Sequence, residues 1–227
     1  MNTRHQPQIP ITLRGSAEIV TEFFGFSINK YVLPSDPHRV RSVDRVDNSC
    51  SILYQRGIYP PESFTRVSKY GLAMVVTADE KLSAYLKNVL DQLAGWLVES
   101  QVQKLVVVVA NANTDDILER WMFDVYADPP SAHGYVRCTR FPKVVMSEIQ
   151  AIMRQITASV SFLPLLNDPC TFDLLVYTDK DVHVPQTWEE SDPRLVENSV
   201  EVRLRSFTTK VHKVDAMVAY KDPDTTI

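Results

Sequence analysis

Glycine is scarce in this chain, six residues in 227, and their spacing never approaches a G-x-G-x-x-G or P-loop. The common phosphate-cradling loops are therefore excluded. Cysteine is scarcer still. Cys50, Cys138 and Cys170 make an odd number without C-x-x-C spacing, which argues against a disulfide framework or a zinc knuckle. An excess of positive charge is also missing. The formal net charge is −4, so neither a general nucleic-acid binder nor an anionic-membrane binder is expected. The longest apolar run, Leu105 to Ala110, is far too short to span a bilayer. No secretory apolar core precedes Gly15, so a protein of the nucleus and cytoplasm is expected.

Catalytic signatures are equally thin. There is no G-x-S-x-G, no H-E-x-x-H and no aspartate-rich calcium loop. Cys170, His183 and His212 have no metal-ligand spacing, and the two histidines read as surface or structural residues. Glu189 and Glu190, adjacent in an irregular stretch, read as solvated charges rather than an acid/base pair. Arg203, Arg205, Lys210, His212 and Lys213 are balanced by Glu201 and Asp215 and read as a solvated strand face. No enzyme, cofactor or metal is expected.

What is present is a chain long enough, at 44% hydrophobic residues, to bury one good core. Gly15 to Asn29 has helical spacing at Ile19, Val20, Phe23, Phe24 and Ile28, with Thr12 and Ser16 as candidate caps. Lys30–Cys50 then breaks the pattern with Pro34 and Pro37. Ser51 to Gly57 resumes it as a helix end with a glycine stop. With Lys30–Cys50 removed, Ile52 falls three places after Ile28 and the apolar stripe runs on. The segment reads as an insertion within one helix, either a genuine loop or an intron carried into the translated sequence.

Phe64–Tyr70 and Leu72–Val76 read as a hairpin, and Thr77-Ala-Asp-Glu80 as a capping box. The helix it opens carries Leu82, Tyr85, Leu86, Val89, Leu93 and Trp96 on one face. Lys104–Val109 reads as a buried strand, and Leu118–Tyr126 as a strand with Trp121, Phe123 and Val125 alternating. Asp128–Pro142 reads as a loop. A third helix, about Lys143 to Phe162, has its stripe at Val145, Ile149, Ile152, Ile156, Val160 and Leu163. Arg154 lies about 180° from that stripe, beside Gln155, and should face away from the core. Three helices and a mostly antiparallel sheet make an α+β layered domain, one unit over residues 1–227.

The last third is the least ordinary part. Phe172–Asp179 reads as a well-buried strand, and Val200–Arg205 alternates as a half-exposed one. Between them, Lys180–Ser199 fits neither period, yet it carries Trp188 and several aliphatics. Unpatterned segments of this length inside a domain are usually functional or disordered, and the Trp favours function.

The blocks Ile11–Val20, Ser51–Pro60, Ile156–Leu166, Phe172–Asp181, Val202–Thr209 and His212–Tyr220 closely resemble the HORMA-domain spindle assembly checkpoint proteins. The likeness covers nearly the whole chain outside Met1–Pro10, Lys30–Cys50 and Asp128–Pro142. It implies a HORMA domain with a mobile C-terminal safety belt and an open/closed switch. In the closed state the belt wraps a short peptide lying along the sheet. The implied peptides come from a kinetochore coiled-coil partner and from the activator of the anaphase-promoting complex, whose capture delays anaphase. Further implied partners are a second copy of the chain, in an asymmetric open–closed dimer, and a HORMA-like antagonist acting with an AAA+ remodelling ATPase. Kinetochores in mitosis are the implied location.

Residue by residue, the resemblance assigns Phe172, Leu174, Leu175, Val176 and Tyr177 to the peptide-pairing strand, and Val184, Pro185 and Trp188 to the belt. Arg154, Gln155, Phe162 and Arg56 match the self-association surface, and Leu13 and Trp96 match positions tied to the switch. Trp96 is equally well read as plain core. Ser191 and Ser199 match modifiable belt serines, whereas Ala216 stands where the family has a regulatory serine. Lys30–Cys50 has no counterpart in the family. The alternative within the fold is another HORMA adaptor, such as the translesion-polymerase accessory subunit.

Overall fold

The computed structural model describes residues 13–29, 51–127, 142–209 and 211–223. The expected insertion at 30–50, the Thr12 cap and most of the 128–142 loop lie outside these residues. Helix α1 (Leu13–Ile28) is followed by the short α2 (Ile52–Gln55). The Ser51 hydroxyl donates to the Ile28 carbonyl at 2.7 Å, so the two helical pieces abut as the apolar stripe requires. Gly57 ends α2 at φ +65. Its N–H reaches the Tyr54 carbonyl and that of Ile58 reaches Leu53, both at 3.1 Å. This is a Schellman closure, which needs the left-handed backbone that glycine adopts without penalty.

Strands β1 (Phe64–Lys69) and β2 (Leu72–Thr77) form a separate antiparallel hairpin. Its turn residues, Tyr70 and Gly71, both have positive φ, the turn geometry that matches strand twist. Helix α3 (Glu80–Val98) starts two residues later than the capping box at Thr77 implies. Asp79 is the cap, accepting from the Leu82 N–H at 2.7 Å, while Thr77 ends β2 and accepts from the Asp79 N–H. A carboxylate at that position serves the exposed helical N–H groups and the helix dipole together.

Strands β3 (Val102–Asn111), β4 (Ile117–Ala127), β5 (Cys170–Thr178), β6 (Ser199–Thr208) and β7 (His212–Lys221) build one sheet in the order β5-β3-β4-β7-β6. Every pairing in it is antiparallel. Side-chain alternation decides what each face meets. Leu105, Val107, Trp121, Phe123, Val125, Val214 and Val218 point into the main core, against α1, α3 and α4 (Pro142–Ala158). Phe23 is the hub, with ring centres 5.7 Å from Phe123 and 4.8 Å from Phe207. The opposite face carries a smaller cluster of Val106, Val108, Met122 and Ala219.

Several expectations are corrected here. β5 is a half-buried edge strand rather than the well-buried one expected, since among the described residues β3 alone pairs with it. Val160 is exposed because α4 tightens to a 3₁₀ turn at Ser159–Ser161 and its stripe loses phase; Met153 takes a core place instead. Tyr85 is 43% exposed although it falls on the α3 stripe. In β6 the inward set Val200, Val202, Leu204 gives way to Phe207, an odd step. A bulge between Arg203 and Ser206 supplies the extra residue.

Candidate peptide-binding edge

Helix-facing side chains Phe172, Leu174 and Val176 hold β5 on the main core, while Leu175 and Tyr177 grip the other face. Phe172 is further fixed edge-on by Tyr59 and Tyr85, with ring centres 6.2 and 6.1 Å away. Its backbone pairs with β3 from Cys170↔Asn111 to Thr178↔Val102. On its other side no strand lies among the described residues, so a row of N–H and C=O groups faces outward.

The strap from Asp179 to Asn198 is tied at several points. At its start the Asp179 N–H donates to the Gln101 carbonyl at 3.1 Å, and Gln103 Nε2 donates to the Asp179 carboxylate at 2.6 Å. In its middle Trp188 packs edge-on against Trp96, ring centres 5.1 Å apart, and the Trp188 N–H closes a turn onto the Pro185 carbonyl. Trp96 is buried, so it is a core residue and a strap contact at once. Further on, Arg194 reaches Asp115 at 2.5 Å and Asp173 at 3.2 Å. At the end the Asn198 carbonyl accepts from the Asp222 N–H. Val184, Ser191 and Ser199 are exposed.

The C-terminal hairpin β6–β7 docks on β4, on the side of the sheet away from β5. A polar knot holds its turn. The Ser16 hydroxyl lies 2.5 Å from Thr209 Oγ1 and 2.7 Å from His212 Nδ1, and His212 Nε2 meets the Leu97 carbonyl at 3.2 Å. Ser16 is thus no helix cap, and His212 is fully buried rather than part of a solvated basic face. Burial pushes its imidazole below the ordinary value, and the Leu97 carbonyl opposes this. The outer edge of β6 is covered by α4: Gln155 Oε1 accepts from the Arg205 N–H at 2.6 Å and Glu148 Oε2 from the Thr208 N–H at 3.0 Å.

The expected self-association residues divide. Arg154 is exposed on α4, and Phe162, 42% exposed, lies beside Tyr220 with ring centres 6.2 Å apart. Gln155 is half-buried and engaged with β6. Arg56 does not face outward. It is buried against Glu119, Nε to Oε1 2.8 Å, and also donates to the Pro164 carbonyl. Glu119 accepts from Trp121 Nε1 as well; burial raises its carboxyl, while Arg56 and Trp121 pull it back. The basic side chain therefore joins α2 to the sheet and to the segment after α4. Leu13 is 37% exposed at the start of α1. His183 is exposed and Cys170 half-buried, its thiol raised mainly by burial; among the described residues no metal-binding cluster forms.

Sequence reasoning missed Arg194, Ser16 and Thr209. Ser16 read as a helix cap, whereas it lies inside α1 on its buried side. Arg194 gives no periodic signal at all, because its partners come from distant parts of the chain.

Comparison with known proteins gives a consistent result. Residues 16–212 match the HORMA domain. The mitotic spindle assembly checkpoint protein MAD2A of Dictyostelium discoideum is 56% identical over 211 residues, 93% of each chain. That of Homo sapiens is 53% identical over 213 residues, 94% of each. A chain in the crystal structure of the mitotic checkpoint complex superposes with a TM-score of 0.75 at 40% identity, covering 92% of this chain and 99% of that one.

Proposed function

The chain belongs to the HORMA domain family, among the mitotic spindle assembly checkpoint proteins, and from that premise we propose that it delays anaphase by capturing short peptides under its strap. The observation that carries this reading is the open edge of β5 beneath a strap tied at both ends and in the middle. A peptide laid along that edge adds a strand, gaining main-chain hydrogen bonds, while alternate side chains meet the two sheet faces. The strap then has to detach before the peptide leaves, which makes exchange slow.

The docking of β6–β7 on β4 supports a closed state, because it leaves β5 available. An open state would repack the C-terminal segment; two such packings coexist only when they differ by a few kcal/mol. Leu13 and Trp96, at the start of α1 and under the strap, are the positions we assign to that switch. The ligands we assign are segments of a kinetochore coiled-coil partner and of the anaphase-promoting-complex activator. Arg154 and Phe162 form the surface for a second copy, with Gln155 behind them. A HORMA-like antagonist with an AAA+ ATPase reopens the belt, and Ser191 and Ser199 are accessible for phosphorylation. The protein acts as an adaptor rather than an enzyme, without cofactor, as a single domain over 1–227. It works in the nucleus and cytoplasm and at mitotic kinetochores. Identity above one half to checkpoint proteins favours this over the translesion adaptor.

The test is fluorescence anisotropy of a labelled activator peptide with the purified full chain. Tight capture with slow release is expected. Rapid, weak exchange, or no capture, would overturn the belt reading.

A further inference from the structure

The strap leaves β5 at Asp179, and Arg194 brings it back to that strand through an ion pair with Asp173. Its guanidinium spans two carboxylates from different elements: Asp173 on β5, and Asp115 in the turn between β3 and β4. Asp179 lies beside Gln101 at one end of the β3–β5 ladder, whereas Asp173 pairs with Val108 toward the other. The ion pairs therefore sit across the far part of the open edge from the strap's origin. Arg194 is 23% exposed, too covered for a freely solvated arginine. The backbone is committed on both sides as well. Arg194 has φ +45 and Asp115 φ +60, left-handed conformations that non-glycine residues adopt uncommonly and at a cost. Among the strap's other ties, Trp188 holds to α3 and Asn198 to the end of β7, neither of them on β5.

We propose that Arg194 is the clasp that shuts the strap over the far end of β5, governing how fast a captured peptide leaves rather than whether it is recognised. This rests on the peptide-capturing reading of the same edge. Asp173 and Asp115 remain 49% and 76% exposed, so water can reach the ion pairs and the clasp is able to open. Its contribution should be modest, and weaker in salt.

The clasp is tested first on the full chain without any peptide, by hydrogen–deuterium exchange. Arg194→Gln should speed exchange of the 190–198 amides and of β5 by about three- to tenfold, with the core of β3 and β4 unchanged. Arg194→Lys, retaining the charge without the two-pronged fork, should fall between. In the second arm a labelled activator peptide is chased with unlabelled peptide. Arg194→Gln should release it about three- to tenfold faster with little change in the on-rate. Combined with Asp173→Asn it should be no worse than Arg194→Gln alone, because the two remove one interaction. Unchanged exchange and unchanged release in Arg194→Gln, or additive effects in the pair, would overturn the clasp while leaving peptide capture standing. Faster strap exchange in a chain that captures no peptide would uphold the closure and remove the peptide reading instead.

Discussion

His212 Nδ1 lies 2.7 Å from the Ser16 hydroxyl, 196 positions earlier in the chain, a polar contact that helps join the C-terminal hairpin to the first helix. Nε2 faces the Leu97 carbonyl and so donates; burial lowers the imidazole's value, so the ring is neutral near pH 7 and Nδ1 is left to accept from the Ser16 hydroxyl.

A neutral buried histidine makes docking of the hairpin pH-dependent. Its folded value is lowered, so the folded form binds fewer protons than a form with the ring released. Stability is full above the ordinary imidazole value, about 6.5, and is lost as pH falls from there toward the lowered folded value. The slope in that window is positive with pH and is bounded by one proton, about 1.4 kcal/mol per pH unit. Urea midpoints across the range should fall for the native chain and stay flat for His212→Gln.

Arg56 and Glu119 should reward scrutiny as a pair. Both side chains are nearly inaccessible, so removing one leaves the other charged and unpaired. Glu119→Ala is expected to cost about 3–5 kcal/mol in denaturant unfolding. A double replacement by apolar residues of similar volume should recover much of that loss.

Arg154 and Gln155 are neighbours with different duties. Arg154→Glu should abolish self-association in light scattering and leave peptide capture intact. Gln155→Ala removes the acceptor of the Arg205 N–H and should raise amide exchange along β6. Self-association unchanged by Arg154→Glu would remove that face from the interface.

Truncation from Val218 deletes the part of β7 that pairs Val218 with Trp121 and Tyr220 with Glu119 and Val200. The hairpin loses part of its hold on β4, and the strap loses its anchor at Asp222. Stable peptide capture should disappear; a truncated chain with native release kinetics would contradict the belt mechanism.

Much of the layering was readable, because it rests on local periods. The α1, α3 and α4 stripes and the Trp121, Phe123, Val125 alternation name most of the core directly. The failures come where tertiary context overrides a local rule. Ser16 looks like a cap until Thr209 and His212 arrive beside it, and Phe207 looks misplaced until the bulge shifts the register. Phe172–Thr178 has the composition of a buried strand, yet its place in the strand order decides its exposure. Arg56, beside the glycine that ends α2, carries no local mark of its burial; Glu119 lies 63 residues on. Strand order and long-range ion pairs depend on non-local closure, which no window of sequence contains.

The sheet has two margins of opposite character. At β6 the α4 oxygens of Gln155 and Glu148 already occupy outward N–H groups, whereas β5 offers a bare row. A sheet able to accept on one side alone gives that side up once: two folded copies pairing β5 to β5 would leave no free margin for a third. Molecules of this design can hold an extended segment by main-chain pairing while folded copies, with a single margin each to give, cannot lengthen edge to edge into a fibre.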